Sequence, residues 1–131
     1  LLKPTQVLAA NWPAAAFKGK SADAAIKSLY GTSKRTSSKA IKINASVQAE
    51  DGSSVPVAVT TTLKNVEAIS IFVHKNAQPL VANAIITGGG GYLRTNIKML
   101  KTSKVEFVVK AGGKLYTASK MIKVTAGGCG G

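Results

Sequence analysis

The chain has few of the residues on which most catalytic and metal sites are built. It has one histidine, one cysteine and five acidic residues among 131. A Ser-His-Asp triad could use only His74, which has no cysteine or carboxylate at metal-ligand spacing in the sequence. A single cysteine excludes an internal disulfide, and no apolar run approaches the ~20 residues of a membrane span. We therefore predict no catalytic centre, no metal, no cofactor and no membrane-spanning segment.

Negative charge is scarce. Eighteen Lys and Arg residues stand against five Asp and Glu, for a net charge of +13, and Arg35 and Arg94 are the only arginines. The lysines are spread along the chain and no nucleic-acid-binding module accompanies them, which argues against a nucleic-acid partner. Two interpretations stay open, a solvated basic surface and a field that attracts anionic substrates or acidic partners.

Residues 1–38 are predicted to form an N-terminal segment with one short helix, at about 21–30. Ser21 is a typical N-cap residue, and Asp23 places negative charge in the first turn, where the helix dipole favours it. Gly31 is a typical stop signal. The chain begins at Leu1 rather than Met, which is compatible with a removed leader or a trimmed sequence.

Residues 39–125 show apolar residues with a period of 2, which is typical of strands. Seven short runs are separated by turns such as Gly112-Gly113, and they begin near Ile41, Val55, Ile69, Val81, Leu93, Val105 and Leu115. The first run extends through Val47. Pro56 cannot donate to a ladder and is expected at an edge or a strand start. This pattern predicts an all-β sandwich of about seven antiparallel strands.

The last predicted strand leads into residues 126–131, where four glycines surround the only cysteine, Cys129. The glycines are Gly127, Gly128, Gly130 and Gly131. Structural cysteines are usually buried, so a lone one here is typical of a reactive thiol. At 3.3–3.6 Å per residue, the segment from Thr125 to Cys129 reaches roughly 17 Å. We predict a flexible arm that carries the thiol into narrow sites of other proteins.

Three segments resemble the SoxY family, the sulfur-carrying subunits of the thiosulfate-oxidising Sox system. They are Ala49-Glu50-Asp51-Gly52 with Val55-Pro56-Val57, then Ile97-Lys98-Met99 with Thr102-Ser103, and the run from Lys110 to Thr125 that ends in the Gly-Gly-Cys-Gly-Gly tail. The resemblance covers roughly residues 24–131.

The resemblance implies an immunoglobulin-like sandwich in the periplasm, paired with a SoxZ-like sister subunit. It implies that Cys129 bears the sulfur intermediates and that the chain is a non-catalytic carrier. A c-type cytochrome would attach thiosulfate to the cysteine, a hydrolase would release sulfate, and in some systems a sulfane dehydrogenase would oxidise the remaining sulfur.

Other interpretations of the tail remain open at this point. The chain could be an interaction module that forms a homodimer through a Cys129 disulfide. It could also carry sulfur on its C-terminal carboxylate, as ubiquitin-like sulfur donors do, although the predicted sandwich differs from their fold.

Overall fold

One helix and nine strands follow one another in residues 21–87 and 90–125, the parts of the chain that this computed structural model describes. The elements are α1 (Ala22–Tyr30), β1 (Thr36–Ser37), β2 (Ile41–Asn44), β3 (Gln48–Ala49), β4 (Val55–Thr61), β5 (Val66–Val73), β6 (Leu80–Ile85), β7 (Gly91–Ile97), β8 (Ser103–Ala111) and β9 (Lys114–Val124).

Helix α1 has the two caps that its sequence predicts. The Ser21 hydroxyl accepts a hydrogen bond from the backbone N–H of Ala24 at 3.1 Å. Gly31 adopts a left-handed conformation with φ 82°, and its N–H donates to the carbonyl of Lys27. A side chain is strained at this φ, so glycine suits the C-terminal cap. The predicted helix is confirmed.

The strands form two sheets that pack face to face. The larger sheet has the order β1-β9-β8-β5-β6, with β3 also pairing to β9, and the smaller sheet has the order β2-β4-β7. The pairs within the β4–β9 framework are antiparallel, whereas β1 and β3 run parallel to β9. The predicted all-β, immunoglobulin-like sandwich is confirmed.

Apolar side chains of both sheets fill the space between them. Large, fully buried side chains of this core include Ile69, Ile71, Met99, Val105, Phe107 and Ile122. A second cluster lies on the outer face of the larger sheet, where Ala25 and Ile26 of α1 cover Phe72, Val108 and Leu115. Burial of each large apolar side chain contributes about 1.5–3 kcal/mol, which holds α1 on the sheet.

Val47 lies outside the strands, whereas Pro56 lies near the start of one. The first predicted run breaks at Asn44, and Val47 is not in a strand but 66% exposed, because the chain leaves the smaller sheet there and joins β9 through β3. The prediction that Val47 belongs to the alternating strand was wrong. Pro56 is the second residue of β4, and β2 begins to pair only at Ala58, so proline interrupts no bond to β2.

Candidate functional site: the root of the carboxy-terminal arm

Cys129 and its four flanking glycines, predicted to carry the function, lie outside the described residues. The structure does describe the strand that leads to them, as far as Thr125. We call residues 126–131 the carboxy-terminal arm, and Val124 and Thr125 the arm root. The root fixes where the arm leaves the sandwich.

Strand β9 is the longest strand among the described residues, with eleven residues. It returns from β8 through Gly112 and Gly113, whose φ angles of 58° and 80° suit the tight turn that glycine allows. Nine residue pairs then join it to β8, from Ala111 opposite Lys114 to Ser103 opposite Ile122. The strand before the arm is therefore supported along nearly its whole length.

The other side of β9 is held by two short parallel strands. At the start, Ser38 N–H donates to the carbonyl of Thr117 at 3.0 Å. At the end, Lys123 N–H donates to Val47 at 2.8 Å and Thr125 N–H donates to Ala49 at 2.9 Å. The arm root thus has a backbone partner on the β3 side, whereas its backbone pairing with β8 ends at Ile122, and the bond to Ala49 lies directly before residue 126.

Thr102 and Gly52 complete the root. The Thr102 hydroxyl accepts a hydrogen bond from Val124 N–H at 2.9 Å and lies 3.4 Å from the Val124 carbonyl, to which it can donate. The loop at Gly52 passes so close that a β-carbon there would lie 2.3 Å from the Met99 carbonyl and 3.3 Å from the Val124 side chain. Only glycine allows this approach, and Val124 is buried beneath it.

Charges of both signs stand near the root. Lys101 and Lys123 are exposed, as are Glu50 and Asp51 in the loop that follows β3. Hydrogen bonds from the Ser53 hydroxyl and N–H lower the pKa of Asp51. The chain turns at Asp51-Gly52, where the Asp51 carboxylate accepts hydrogen bonds from Ser53 as in an Asx turn.

A buried carboxylate lies on the outer face of the larger sheet, away from the core between the sheets. Glu106 of β8 is 3% exposed in its side chain and accepts from Arg35 Nε at 2.5 Å, Arg35 Nη2 at 3.2 Å and Thr117 Oγ1 at 2.6 Å. His74 Nε2 lies 2.8 Å from Oε1 of the same carboxylate. Arg35 also donates to Asp23 of α1 at 2.7 Å. We call this set the Glu106 cluster.

The contacts of the Glu106 cluster favour the charged forms of Glu106 and Arg35. Burial acts to raise the pKa of the Glu106 carboxyl, but the hydrogen bonds from Arg35, Thr117 and His74 outweigh it and hold that pKa below its ordinary value. The hydrogen bond to Glu106 raises the pKa of Arg35, against the effect of burial. Because Arg35 directly precedes β1 and Asp23 lies in α1, the cluster ties both elements to β8.

No local sequence pattern indicates this cluster. His74 lies just past the end of β5 and has no carboxylate near it in sequence, yet Glu106 contacts it from 32 residues further on. The partners of Glu106 lie too far apart for any local pattern to reveal them. A groove of ≈ 540 Å³ adjoins the cluster, lined by Arg35, Ser37, Lys39, Lys104 and Ser119 among others. Among the described residues no group of His, Cys, Asp and Glu could hold a metal ion.

The fold and the root together define a class: an immunoglobulin-like sandwich protein whose last described strand has hydrogen-bonded neighbours on both sides and precedes, in sequence, the segment with the chain's only thiol. The family model described as "Sulfur oxidation protein SoxY" matches residues 26–129. The sulfur carrier protein SoxY from Chlorobium limicola f thiosulfatophilum is 37% identical, with a TM-score of 0.72 over 83% of this chain and 96% of that chain. The chain belongs to the SoxY family of sulfur carrier proteins.

Other solved structures share the fold. Superoxide reductase (neelaredoxin) from Ignicoccus hospitalis is 17% identical, with a TM-score of 0.55 over 70% of this chain and 82% of that chain. A second structure of that reductase is 16% identical, with a TM-score of 0.57 over 81% of this chain and 90% of that chain. This likeness concerns the sandwich alone. No curated protein matches significantly. In the described ranges no helix is long and apolar enough to span a membrane.

Proposed function

We propose that this protein carries sulfur intermediates of thiosulfate oxidation as covalent adducts of Cys129. The observation that carries the proposal is the extent of the family match, which runs through the sandwich and ends on Cys129 itself. Cys129 is also the only cysteine, so a thiol-bound intermediate has no other place on the chain. The arm glycines, Gly127, Gly128, Gly130 and Gly131, give the thiol a path without neighbouring side chains.

The proposed loading step joins thiosulfate to the thiolate through a new S–S bond. Cys129 S⁻ and ⁻S–SO₃⁻ give Cys129–S–S–SO₃⁻, and two electrons leave to the haem of a c-type cytochrome. Water then cleaves the S–SO₃⁻ bond in a hydrolase, which releases sulfate and two protons and leaves Cys129–S–S⁻. A sulfane dehydrogenase then oxidises the outer sulfur with three water molecules to Cys129–S–SO₃⁻, taking up six electrons as six protons are released, and a second hydrolysis releases sulfate and two protons and regenerates the thiolate. Alternatively, a nucleophilic acceptor takes the outer sulfur and leaves Cys129 S⁻.

In this proposal the carrier performs none of these steps itself. A free cysteine has a pKa of about 8.5, so only a few per cent is thiolate at neutral pH until a partner's site activates it. Ordering each residue of the arm costs about 1–2 kcal/mol, and glycine lies at the expensive end. Docking of the arm alone is therefore weak, which suits a carrier that must leave one enzyme for the next.

The setting we propose is the periplasm, with a SoxZ-like sister subunit bound to the sandwich. Membership of the SoxY family supports a place in the Sox system. The root geometry supports the division of labour, because hydrogen bonds to both neighbouring strands hold Thr125 and the residues before it while the thiol lies four residues beyond.

The test is the intact mass of the protein without reductant, after incubation with thiosulfate and the cytochrome partner. We expect a mass increase of one thiosulfate unit that maps to Cys129, disappears with a thiol reductant and converts to one extra sulfur when the hydrolase is added. A thiol that stays unmodified under these conditions contradicts the proposal.

Two variants separate the alternatives. Deletion of Gly131 keeps Cys129 and leaves loading intact, whereas a carboxylate-based carrier would lose all activity. Cys129→Ser abolishes loading. If that variant instead lost only a disulfide-linked dimer and still supported sulfur oxidation, the protein would be an interaction module.

A further inference from the structure

Strand β6 is an edge strand without the protection that edges usually have. Native edges are blunted by charged residues, by proline or by very short strands. Among the edge strands of the described residues, β2 carries Lys42, β7 carries Arg94, and β1 and β3 have two residues each. β6 has six residues and no charge, although the chain has eighteen Lys and Arg residues.

The open part of β6 is short and well defined. The register against β5 shifts where Val81 forms a bulge, so the regular ladder runs from Ala82 to Ile85. Ile86 N–H continues that ladder by donating to Glu67 at 3.0 Å. Because backbone groups alternate in direction along an antiparallel strand, those of Asn83 and Ile85 point away from β5. The free edge therefore offers two N–H and two C=O groups.

Within the part of the chain that the structure describes, two side chains of the same stretch lack complete partners. Asn83 is only 7% exposed, and its Oδ1 has no hydrogen-bond donor there. A buried acceptor without a donor is costly, so native structures rarely keep one without a reason. Ile85 is a large apolar residue that is 42% exposed. The backbone, an acceptor and an apolar side chain thus all lack partners at one edge.

We propose that β6 pairs through Ala82–Ile85 with an edge strand of a second, less basic polypeptide, which supplies a donor to Asn83 and an apolar neighbour to Ile85. Strand addition of this kind obtains its affinity from main-chain hydrogen bonds and its specificity from alternate side chains. A second copy of this chain is disfavoured, because each copy has a net charge of +13 and two copies repel.

The partner we name for this edge is the sister subunit of the proposed function, so the inference rests on that part of it. The edge lies on the opposite side of the larger sheet from β9, since the strand order places β8 and β5 between them. A subunit docked on β6 therefore leaves the arm root accessible to the enzymes that load and unload Cys129.

The first test measures binding of the sister subunit to the full chain by titration calorimetry. Ile85→Lys places a charge on the open edge and is expected to weaken the complex by about tenfold or more, which corresponds to about 1.4 kcal/mol. Val47→Lys is the matched control, because Val47 is an equally aliphatic exposed residue next to β3. We expect its affinity to equal that of the unmodified chain.

The second test uses the orphan acceptor. Asn83→Leu removes a buried oxygen without a donor, so the free chain should melt at a higher temperature while the complex becomes several-fold weaker. A merely structural role for Asn83 predicts that stability and affinity change in the same direction. In the unmodified complex, amide hydrogen exchange should slow at Asn83 and Ile85 relative to the free chain.

Three results would overturn the inference: equal affinities of Ile85→Lys and Val47→Lys, unchanged amide exchange at β6 in the complex, or a homodimer of the free chain that Ile85→Lys dissolves. Loading of Cys129 is measured separately by mass. If Cys129 is loaded but β6 is unaffected by the sister subunit, the inference is wrong and the carrier function stands. If β6 binds the sister subunit but Cys129 is never loaded, the carrier function is wrong and the inference about β6 stands.

Discussion

The two edges of the larger sheet are built in opposite ways. At one edge β9 is bonded to β8 on its inner side and to β1 and β3 on its outer side, and Lys120 Nζ donates to the Ala45 carbonyl between them. At the other edge, within residues 21–87 and 90–125, β6 pairs with β5 alone. One edge uses its hydrogen-bonding capacity within the chain, and the other keeps it available.

This difference connects local stability to function. Segments with partners on both sides open with free energies close to that of global unfolding, whereas edges open more readily. In the proposed function, the anchored edge leads to the arm that several enzymes reach in turn. The open edge suits an association that lasts while those enzymes come and go.

The largest effect comes from the thiol beyond the anchored edge. Cys129→Ser removes the only sulfur nucleophile of the chain, so adduct formation should fall to zero while the fold stays unchanged. Intact mass spectrometry measures the first quantity and thermal unfolding the second. Residual adduct on the variant would show that another atom carries the intermediate.

We expect the Glu106 cluster to stabilise the attachment of β1 and α1 to β8. Glu106→Ala leaves Arg35 without its main partner and should cost about 3–5 kcal/mol of unfolding free energy, as the loss of one member of a buried pair does. Glu67→Ala is the control, since its pair with Lys110 is exposed and spans 3.7 Å, and less than about 1 kcal/mol is expected. Chemical denaturation measures both.

The same cluster sets a pH dependence. The pKa of Glu106 is lowered in the folded chain, so its stabilisation is present above the unfolded value of about 4.3 and is lost as the pH falls through the lower folded value. The difference in unfolding free energy between the unmodified chain and Glu106→Gln should therefore become smaller as the pH falls below about 4. Parallel curves for the two proteins down to low pH would contradict this.

Gly52 tests how closely the root is packed. Gly52→Ala places a β-carbon 2.3 Å from the Met99 carbonyl, which must move, and should cost about 1–3 kcal/mol. Gly90→Ala is the matched control, because no described residue other than its chain neighbours has an atom within 4 Å of its β-carbon position, and we expect a change within about 0.5 kcal/mol. Equal losses would mean that the contact at Gly52 can relax.

The smallest expected effect distinguishes the two edges directly. Thr102→Val removes the hydroxyl that accepts from Val124 N–H, which should cost about 1–2 kcal/mol of unfolding free energy. Amide exchange should become faster at Val124 and Thr125 and stay unchanged at β6. Thr60→Val, on the exposed outer face of the smaller sheet, is the control and should leave amide exchange unchanged at both edges. Faster exchange at both edges would show that they do not open independently.

Most of the fold could be predicted because its signals are local. Ser21 and Gly31 mark the ends of α1, and alternation of apolar residues marks β4 to β9. The two-residue strands β1 and β3 could not be predicted, because they exist only where the chain returns to the edge of β9. Val47 was misassigned for the same reason, since alternation cannot reveal where a strand changes sheets.

The candidate site divides in the same way. The proposed role of Cys129 follows from its position between glycines, and the match to the SoxY family extends to that residue. The Glu106 cluster has no such signal, because Arg35 meets Glu106 across 71 residues. Likewise Asn83 and Ile85 look like ordinary strand residues until the strand order places them at an edge.

The length of β9 has a mechanical consequence. An enzyme that pulls on the arm along the strand direction loads β9 in shear, so its nine pairs with β8 and its bonds to β1 and β3 share the tension at once. A strand attached at one end by a hairpin and pulled sideways would instead unzip bond by bond. Tension applied to the arm is thus distributed over the whole length of β9 rather than over its last few bonds.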